Sequence, residues 1–253
     1  MSLQLSSSLL VICVLGIITS RSLPSRTTLT AAAAADLSTV EPELAQAFEN
    51  TNPNVTVKWV TEASAALAQQ IENGAPYDLF LSANASFVDR LASSGKLDRA
   101  SIVTYTTGRL VLVWRDRKPH DFKELTANWV RFVGLPNPKL APYGVAAREA
   151  LQHERIWDVI EPKIVYGENV RQTLQLLETG NADAVLTSAS LVEGQNADLV
   201  PDNWHNPITQ KGGIVAGSRN REASRRFLEF LTSPAGQAIF AKHGFARSAA
   251  REQ

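Results

Sequence analysis

Residues 64–82 combine a short helix pattern, a sharp stop and a buried strand pattern, and this succession restricts the fold more than any other stretch. Ser64 is suited to cap the helix, because its hydroxyl can accept a backbone N–H of the first turn. Gly74 tolerates the left-handed conformation that ends a helix, and Pro76 prevents its continuation. The apolar run at 79–81 is typical of a strand that is covered on both faces. The stretch predicts a helix followed directly by a buried strand.

The start of this helix is also a predicted anion site. The first amides of a helix lack intrahelical partners and carry the positive end of the helix dipole, so they attract negative groups. The simpler interpretation, a capped helix on the protein surface, is favoured by the motif alone. Both interpretations predict that the helix begins at Ser64.

Strand and helix patterns alternate along the rest of the chain. The predicted strands are 27–33, 55–59, 79–81, 110–114, 132–135, 164–166, 184–187 and 212–216. The predicted helices are 37–50, 64–72, 84–94, 143–152, 170–179, 222–231 and 234–243. This alternation predicts an α/β fold with open parallel sheets. The charged turn after Trp114 indicates a second lobe, and we assign 27–109 plus 212–253 to lobe 1 and 110–211 to lobe 2.

Two helix starts carry capping patterns. Ser38 and Glu41 form a candidate capping box for the helix that begins near residue 37, and Asn169 and Gln172 form another. Ligands of open α/β sheets bind at the carboxyl ends of the strands. The strand-to-helix turns predicted to converge there are 35–36, 63–64, 142–143, 169–170 and 187–188.

The composition excludes several classes of function. The 253 residues are 44% hydrophobic, which is enough for one large domain or two smaller ones. Lys plus Arg and Asp plus Glu both number 25, so the formal net charge is zero and no overall field favours nucleic acid. The four histidines show no spacing typical of metal ligands, so no metal site is expected.

The N-terminus has the features of a secretory signal. Residues 9–18 are apolar but too few to span a bilayer, and small polar residues follow, so we expect a signal peptide at 1–24 and a periplasmic or other extracytoplasmic location. Since no Lys or Arg precedes the apolar run, an uncleaved anchor is the alternative. Cys13, the single cysteine, lies in this run, so the mature chain has no thiol for disulfides, nucleophilic catalysis or metal binding.

Four segments resemble the periplasmic molybdate-binding proteins of ABC transporters. They are AAAADL at 32–37, SAALAQQIENGAPYDLFLSA at 64–83, YGENVRQTLQLLETG at 166–180 and FLTSPAGQAIFAKHGF at 230–245. The resemblance implies a type II periplasmic binding protein whose two lobes enclose molybdate or tungstate in a cleft and deliver it to a membrane permease. It implies neither enzymatic activity nor a cofactor.

The resemblance also implies a ligand set. Members of this family hold the anion with hydroxyls and backbone amides at helix N-termini, and the corresponding positions here are Asp36, Ser64, Tyr143, Val170 and Thr187. Tyr143 is expected to contribute its amide while its ring packs, and Val170 can contribute only backbone. The family usually has Ser in place of Asp36 and often Tyr in place of Thr187.

Asp36 is the more consequential departure. A carboxylate 4 Å from one unit of ligand charge costs on the order of 4 kcal/mol at an effective dielectric near 20. We therefore expect the Asp36 side chain to turn away and cap local amides while its backbone N–H faces the anion. The alternative is that the carboxylate selects another ligand, such as a protonated monoanion, and sulfate, phosphate or a small organic acid remain candidates.

Two other classes of function are disfavoured by the residues. Porphobilinogen deaminase is built on similar lobes but attaches its cofactor to a cysteine, which the mature chain lacks. A ligand-sensing domain of a regulator would need a DNA-binding or other output segment, and the signal occupies that place. We expect a monomer that binds its anion and meets a permease.

Overall fold

Two mixed β-sheets, each covered by helices, organise the computed structural model, which describes residues 26–118, 120–192 and 196–247. The predicted signal peptide and Cys13 lie outside these residues. The strands are β1 Thr27–Ala34, β2 Val55–Glu62, β3 Leu79–Ser82, β4 Val103–Gly108, β5 Leu110–Trp114, β6 Val133–Pro136, β7 Ile164–Gly167, β8 Ala184–Ser188, β9 Asp198–Leu199 and β10 Ile208–Ile214. The arrangement confirms the predicted α/β class.

All seven predicted helices are present in the predicted order, together with one short helix that was not predicted. They are α1 Glu41–Thr51, α2 Ser64–Glu72, α3 Ala85–Ser93, α4 Pro142–His153, α5 Trp157–Ile160, α6 Val170–Glu178, α7 Arg221–Thr232 and α8 Pro234–Lys242. The predicted stops are confirmed, since Gly74, Gly95, Gly180 and Gly244 have φ values of 86°, 71°, 75° and 78°. Among the described residues, no helix is long and apolar enough to cross a bilayer.

The sheets are mixed, so the prediction of parallel sheets is wrong. The first sheet has the order β2-β1-β3-β10-β4, and the second has the order β7-β6-β8-β5-β9. β1 is parallel to β2 and β3, whereas β10 is antiparallel to β3 and β4. In the second sheet β5 is antiparallel to β8. The chain passes from the first sheet to the second at β5 and returns to the first at β10, and these two strands run antiparallel to their neighbours. Hydrophobic periodicity does not indicate strand direction, so the sequence could not predict this.

The start of α1 also differs from the prediction. Residues 35–37 form a short 3-10 turn, and the α-helix begins at Glu41, with Pro42 in its first turn. The Glu41 carboxylate accepts the Thr61 hydroxyl at 2.7 Å instead of completing a capping box with Ser38. A partner on the neighbouring strand therefore replaces the local one.

The other predicted caps have mixed outcomes. The cap of α2 is Ala63, and Ser64 is the first helical residue, so Ser64 is not the N-cap. Asn169 caps α6 as predicted, accepting the Gln172 N–H at 3.0 Å. The Gln172 side chain accepts the N–H of Glu168 rather than that of Asn169, so the box is shifted by one residue.

Strand β3 lies at the centre of the first sheet and is buried on both faces, as predicted. Leu79 and Leu81 pack on the side of α1 and α7, while Phe80 packs on the side of α2 and α3. The alanines of β1 are also buried, because this strand lies between β2 and β3 under helices on both faces. These inner strands hold their carboxyl ends in fixed positions at one edge of the sheet.

Replacement of Phe80, which is fully buried, should lower the free energy of unfolding. Phe80→Ala removes an aromatic ring from a packed core and should cost about 3–5 kcal/mol. Phe132→Ala, at a position that is 46% exposed, is the matched control and should cost much less. Urea unfolding followed by circular dichroism measures both, and equal losses would contradict the packing described for β3.

Candidate functional site

A small buried cavity lies where the two sheets meet. Its lining includes Ala34, Ala35, Asp36, Ala63, Ser64, Ala83, Ala141, Pro142, Tyr143, Asn169 and Val170. The cavity measures about 10 Å³, roughly the space required by one water molecule. The structure thus brings Asp36, Ser64, Tyr143 and Val170 together.

Three helix N-termini converge on this cavity, those of α2, α4 and α6. Each helix follows the carboxyl end of a strand, namely β2, β6 and β7. The first amides of these helices have no intrahelical acceptors. The Ala65 N–H of α2 donates to the Leu140 carbonyl before α4 at 3.3 Å, so the two halves are in direct contact beside the cavity. The arrangement can donate several hydrogen bonds to an anion placed between the helices.

Asp36 lies in the 3-10 turn, and its side chain crosses to the other sheet. One carboxylate oxygen, Oδ2, accepts the Tyr143 hydroxyl at 2.9 Å and also the side-chain amide of Gln210. The other oxygen, Oδ1, is buried and has no hydrogen-bond partner among the described residues. The prediction that this carboxylate caps local amides is largely wrong, because apart from its own backbone N–H its donors belong to α4 and β10.

Burial dominates the electrostatics of this carboxyl group. Burial raises the pKa of Asp36 to about 6, although hydrogen bonds from Gln210 and Tyr143 oppose the rise. The hydroxyl pKa values of Tyr143 and Tyr105 lie well above their usual value, first because both are buried and also because Asp36 is near. Both tyrosines are therefore neutral donors at physiological pH.

A chain of hydroxyls continues from Tyr143 through the second sheet and back to the first. Ser188 donates to the Tyr143 hydroxyl at 2.9 Å and lies 2.8 Å from the Ser190 hydroxyl. Ser190 in turn donates to the backbone carbonyl of Asp36 at 2.6 Å. Tyr143 thus packs its ring, as predicted, but its hydroxyl also connects the two sheets.

Sequence reasoning missed Gln210 and Ser190, and it included Ser188 only as part of the converging turn 187–188. Gln210 lies two residues after Ile208 on β10, and both side chains are buried on the same face of the strand. Because glutamine is polar, the sequence did not indicate a core position for it. The serines follow directly after the predicted strand that ends at residue 187. Their position at a strand carboxyl end was the available signal.

Ser64 and Thr187 differ in their relation to the cavity. Ser64 lines it and accepts the Ala83 N–H at 3.2 Å, and a hydroxyl oxygen that accepts a bond can still donate its own proton. Thr187 is buried outside the lining, and its hydroxyl donates to the Val170 carbonyl at 2.9 Å. Thr187 therefore holds the first turn of α6, from which the Val170 amide projects.

Cations are missing from the part of the lining that the structure describes, which includes neither Lys nor Arg. Arg171 follows Val170 and lies near enough to Glu41 to favour its ionised form, but it is not among these lining residues. Within the described ranges, no group of three or more His, Cys, Asp or Glu side chains is arranged to hold a metal ion. An anion in this cavity would therefore meet backbone amides and hydroxyls, together with the Asp36 carboxyl group.

A larger groove of about 700 Å³ lies elsewhere on the first sheet. Its buried carboxylate, Asp78, already accepts the Thr30 N–H at 2.8 Å, the Ser218 hydroxyl at 2.6 Å and the Asn220 side chain. The polar groups there stabilise the loop that follows β10. Convergence of unused donors, rather than volume, identifies the smaller cavity as the candidate site.

Comparisons with known proteins agree with this architecture. Residues 29–246 match the family of bacterial extracellular solute-binding proteins. The molybdate-binding protein ModA of Rhodobacter capsulatus is 32% identical over 194 residues, which cover 75% of this chain and 77% of that protein. The solved structure of the periplasmic molybdate-binding protein of Azotobacter vinelandii has a TM-score of 0.83 and 25% identity, covering 87% of this chain and 99% of that chain.

A more distant structure shows how widely the fold is shared. The sulfate-binding protein SubI of Mycobacterium tuberculosis has a TM-score of 0.73 at 18% identity and covers 88% of each chain. This likeness concerns the fold alone.

Together the comparisons confirm the predicted type II periplasmic binding protein fold and the resemblance to the molybdate-binding proteins. Solute-binding proteins of this kind need no cofactor. The family match covers most of the chain, which therefore belongs to the bacterial extracellular solute-binding proteins.

Proposed function

We propose that this protein captures a tetrahedral oxyanion, molybdate or tungstate, outside the cytoplasm and delivers it to the permease of an ABC transporter. The observation that carries the proposal is the convergence of three helix N-termini and the Ser64 hydroxyl on one buried, cation-free cavity. The names of the relatives from Rhodobacter capsulatus and Azotobacter vinelandii support molybdate as the ligand.

In the proposed complex, backbone amides at Asp36, Ser64, Tyr143 and Val170 and the Ser64 hydroxyl surround the anion. Hydrogen bonds to a charged group contribute roughly 1.5–3 kcal/mol each, and micromolar affinity corresponds to about 8 kcal/mol. Five contacts of this size contribute roughly 8–15 kcal/mol, which is sufficient before dehydration and closure are subtracted. Thr187 belongs to the proposed site as a positioning residue, because it holds the Val170 carbonyl.

Ligand entry requires the two halves to separate. The cavity of about 10 Å³ has room for roughly one water molecule, so a tetrahedral oxyanion needs more space than this closed arrangement offers. We propose that the sheets belong to separately moving lobes, 27–109 plus 212–253 and 110–211. The strand that returns to the first sheet already begins at Ile208, just before the proposed boundary.

The permease is the proposed macromolecular partner, and it would recognise the closed form. Closure joins residues of both lobes, as in the bond from the Thr39 hydroxyl to the Ser190 carbonyl at 2.9 Å. A surface formed by both lobes exists only in this state, so it can distinguish loaded from empty protein. We propose that the protein acts as a monomer.

Isothermal titration of residues 26–253 tests the proposed function. We expect micromolar or tighter binding of molybdate and tungstate, because the cavity offers neutral donors from several directions to a tetrahedral dianion. Sulfate and phosphate should bind more weakly. No heat with any of the four anions would contradict the proposal, and preference for sulfate or phosphate would replace the ligand.

Removal of the Ser64 hydroxyl should weaken molybdate binding. Ser64→Ala deletes one hydrogen bond to the anion, and the dissociation constant should rise roughly 10- to 100-fold. Ser86→Ala, at an exposed position in the first turn of α3, is the matched control and should bind like the parent protein. Equal affinities of the two variants would exclude Ser64 from the ligand set.

Substitution of Thr187 should act through Val170. Thr187→Val leaves the Val170 carbonyl without its hydroxyl donor and should lower the free energy of unfolding by about 1–3 kcal/mol while weakening anion binding. Thr187→Ser keeps the hydroxyl and should retain most of the affinity. Thermal unfolding and titration measure the two effects. Normal binding by Thr187→Val would show that this hydrogen bond does not position the ligand amide.

A further inference from the structure

The two oxygens of the Asp36 carboxyl group are used unequally. Oδ2 accepts hydrogen bonds from Tyr143 and Gln210, whereas Oδ1 is buried and has no partner among the described residues. A protonated carboxyl group has one O–H donor. Since two donors already occupy Oδ2, Oδ1 is the oxygen that can carry a proton without displacing either hydrogen bond.

We propose that Asp36 binds the oxyanion as a neutral carboxylic acid and donates the proton on Oδ1 to a ligand oxygen. The proton comes from solvent wherever Asp36 is ionised in the free protein, so the uptake per captured anion equals the ionised fraction of Asp36, and no bond of the anion is broken. The inference rests on the proposed function, because it requires an oxyanion in this cavity. It makes Asp36 a direct donor at a position where the resembling family has a hydroxyl.

The energetic comparison favours the neutral form. An ionised carboxylate 4 Å from one unit of ligand charge weakens binding roughly a thousandfold at an effective dielectric of about 20. Burial has already raised the pKa of Asp36 to about 6. Protonation of such a group at pH 7 therefore reduces the affinity only about tenfold. Proton uptake is the less costly way to place this residue beside a dianion.

Burial, and not the neighbouring groups, favours the neutral form of Asp36, because the hydrogen bonds from Gln210 and Tyr143 favour the ionised form. The titratable groups that interact with Asp36 or with its immediate neighbours are Glu41 of α1, Glu62 of β2, Tyr105 of β4, Tyr143 of α4 and Arg171 of α6. The pKa of Glu41 is raised, mainly by burial and also by the charge of Asp36, while Arg171 opposes the rise. The two tyrosines are neutral, and Glu62 holds the Ala63 N–H at 3.4 Å. Arg171 is the single cation in this set, and the structure gives it no hydrogen bond to Asp36.

The test is titration of residues 26–253 with molybdate between pH 5.5 and pH 8, at constant ionic strength. Buffers that differ in ionisation enthalpy report the number of protons taken up. The affinity should fall as the pH rises above the pKa of the free site, by roughly 80-fold across this range for a pKa of about 6. At pH 7 the uptake should be about 0.9 proton, the ionised fraction of such a group.

Two variants assign the proton to a residue. Asp36→Asn keeps an acceptor oxygen for Tyr143 and Gln210 and offers an N–H in place of the acidic O–H. It should abolish both the pH dependence and the proton uptake, and it should bind molybdate more tightly than the parent protein at pH 8. Glu41→Gln is the control, and it should keep the pH dependence.

The contrary outcomes are distinct. Molybdate binding of constant affinity from pH 5.5 to pH 8 would overturn the proton-uptake inference but leave the proposed function standing. The parental pH dependence in Asp36→Asn would assign the proton to another group. Tighter binding of phosphate than of molybdate by the parent protein, with this preference lost in Asp36→Asn, would show that Asp36 accepts a proton from its ligand instead of donating one. Absence of binding with every anion at every pH would overturn the function and the inference together.

Discussion

The buried carboxyl group of Asp36 is the point on which the two halves of the molecule depend. A carboxyl group in a nonpolar interior is costly unless it receives hydrogen bonds, and a buried charge is costlier still. The donors come from both sides, with Gln210 on the first sheet and Tyr143 beside the second. Ser190 adds a bond to the Asp36 carbonyl. The closed arrangement is therefore stabilised by the same residue that an incoming anion must accommodate.

A site built from helix N-termini binds an anion through fixed partial charges, whereas a site built from Lys or Arg binds it through full charges. Backbone amides of α2, α4 and α6 are fixed by their helices, so they need little rearrangement to face an anion. They carry only partial charge, and the empty cavity does not accumulate a large positive potential. Binding then depends on having several amides in place at once, and the proposed separation of the lobes would remove this arrangement. Neutral donors thus suit a protein that must release its ligand as well as capture it.

The local parts of this structure follow from the sequence. The apolar run at 79–81 and the positive φ of Gly74 are consequences of neighbouring residues, and the helix and strand order could be read from them. Partners that are distant in sequence could not be anticipated. Ser64 meets the Ala83 amide and Glu41 meets the Thr61 hydroxyl, so two predicted caps serve contacts between elements instead. The direction of β10 is likewise set by the return of the chain from the second sheet.

The candidate site shows the same division. Four of its five predicted residues line one cavity because each follows the carboxyl end of a strand, which is a topological property of α/β sheets. The chemistry of Asp36 depends instead on Tyr143 and Gln210, which lie 107 and 174 positions away. From the residues of the local turn alone, the Asp36 carboxylate is expected to carry a fixed negative charge. Burial between two donors on one oxygen makes the charge of Asp36 responsive to pH, and this is how a residue that opposes an anion when ionised can become one of its donors.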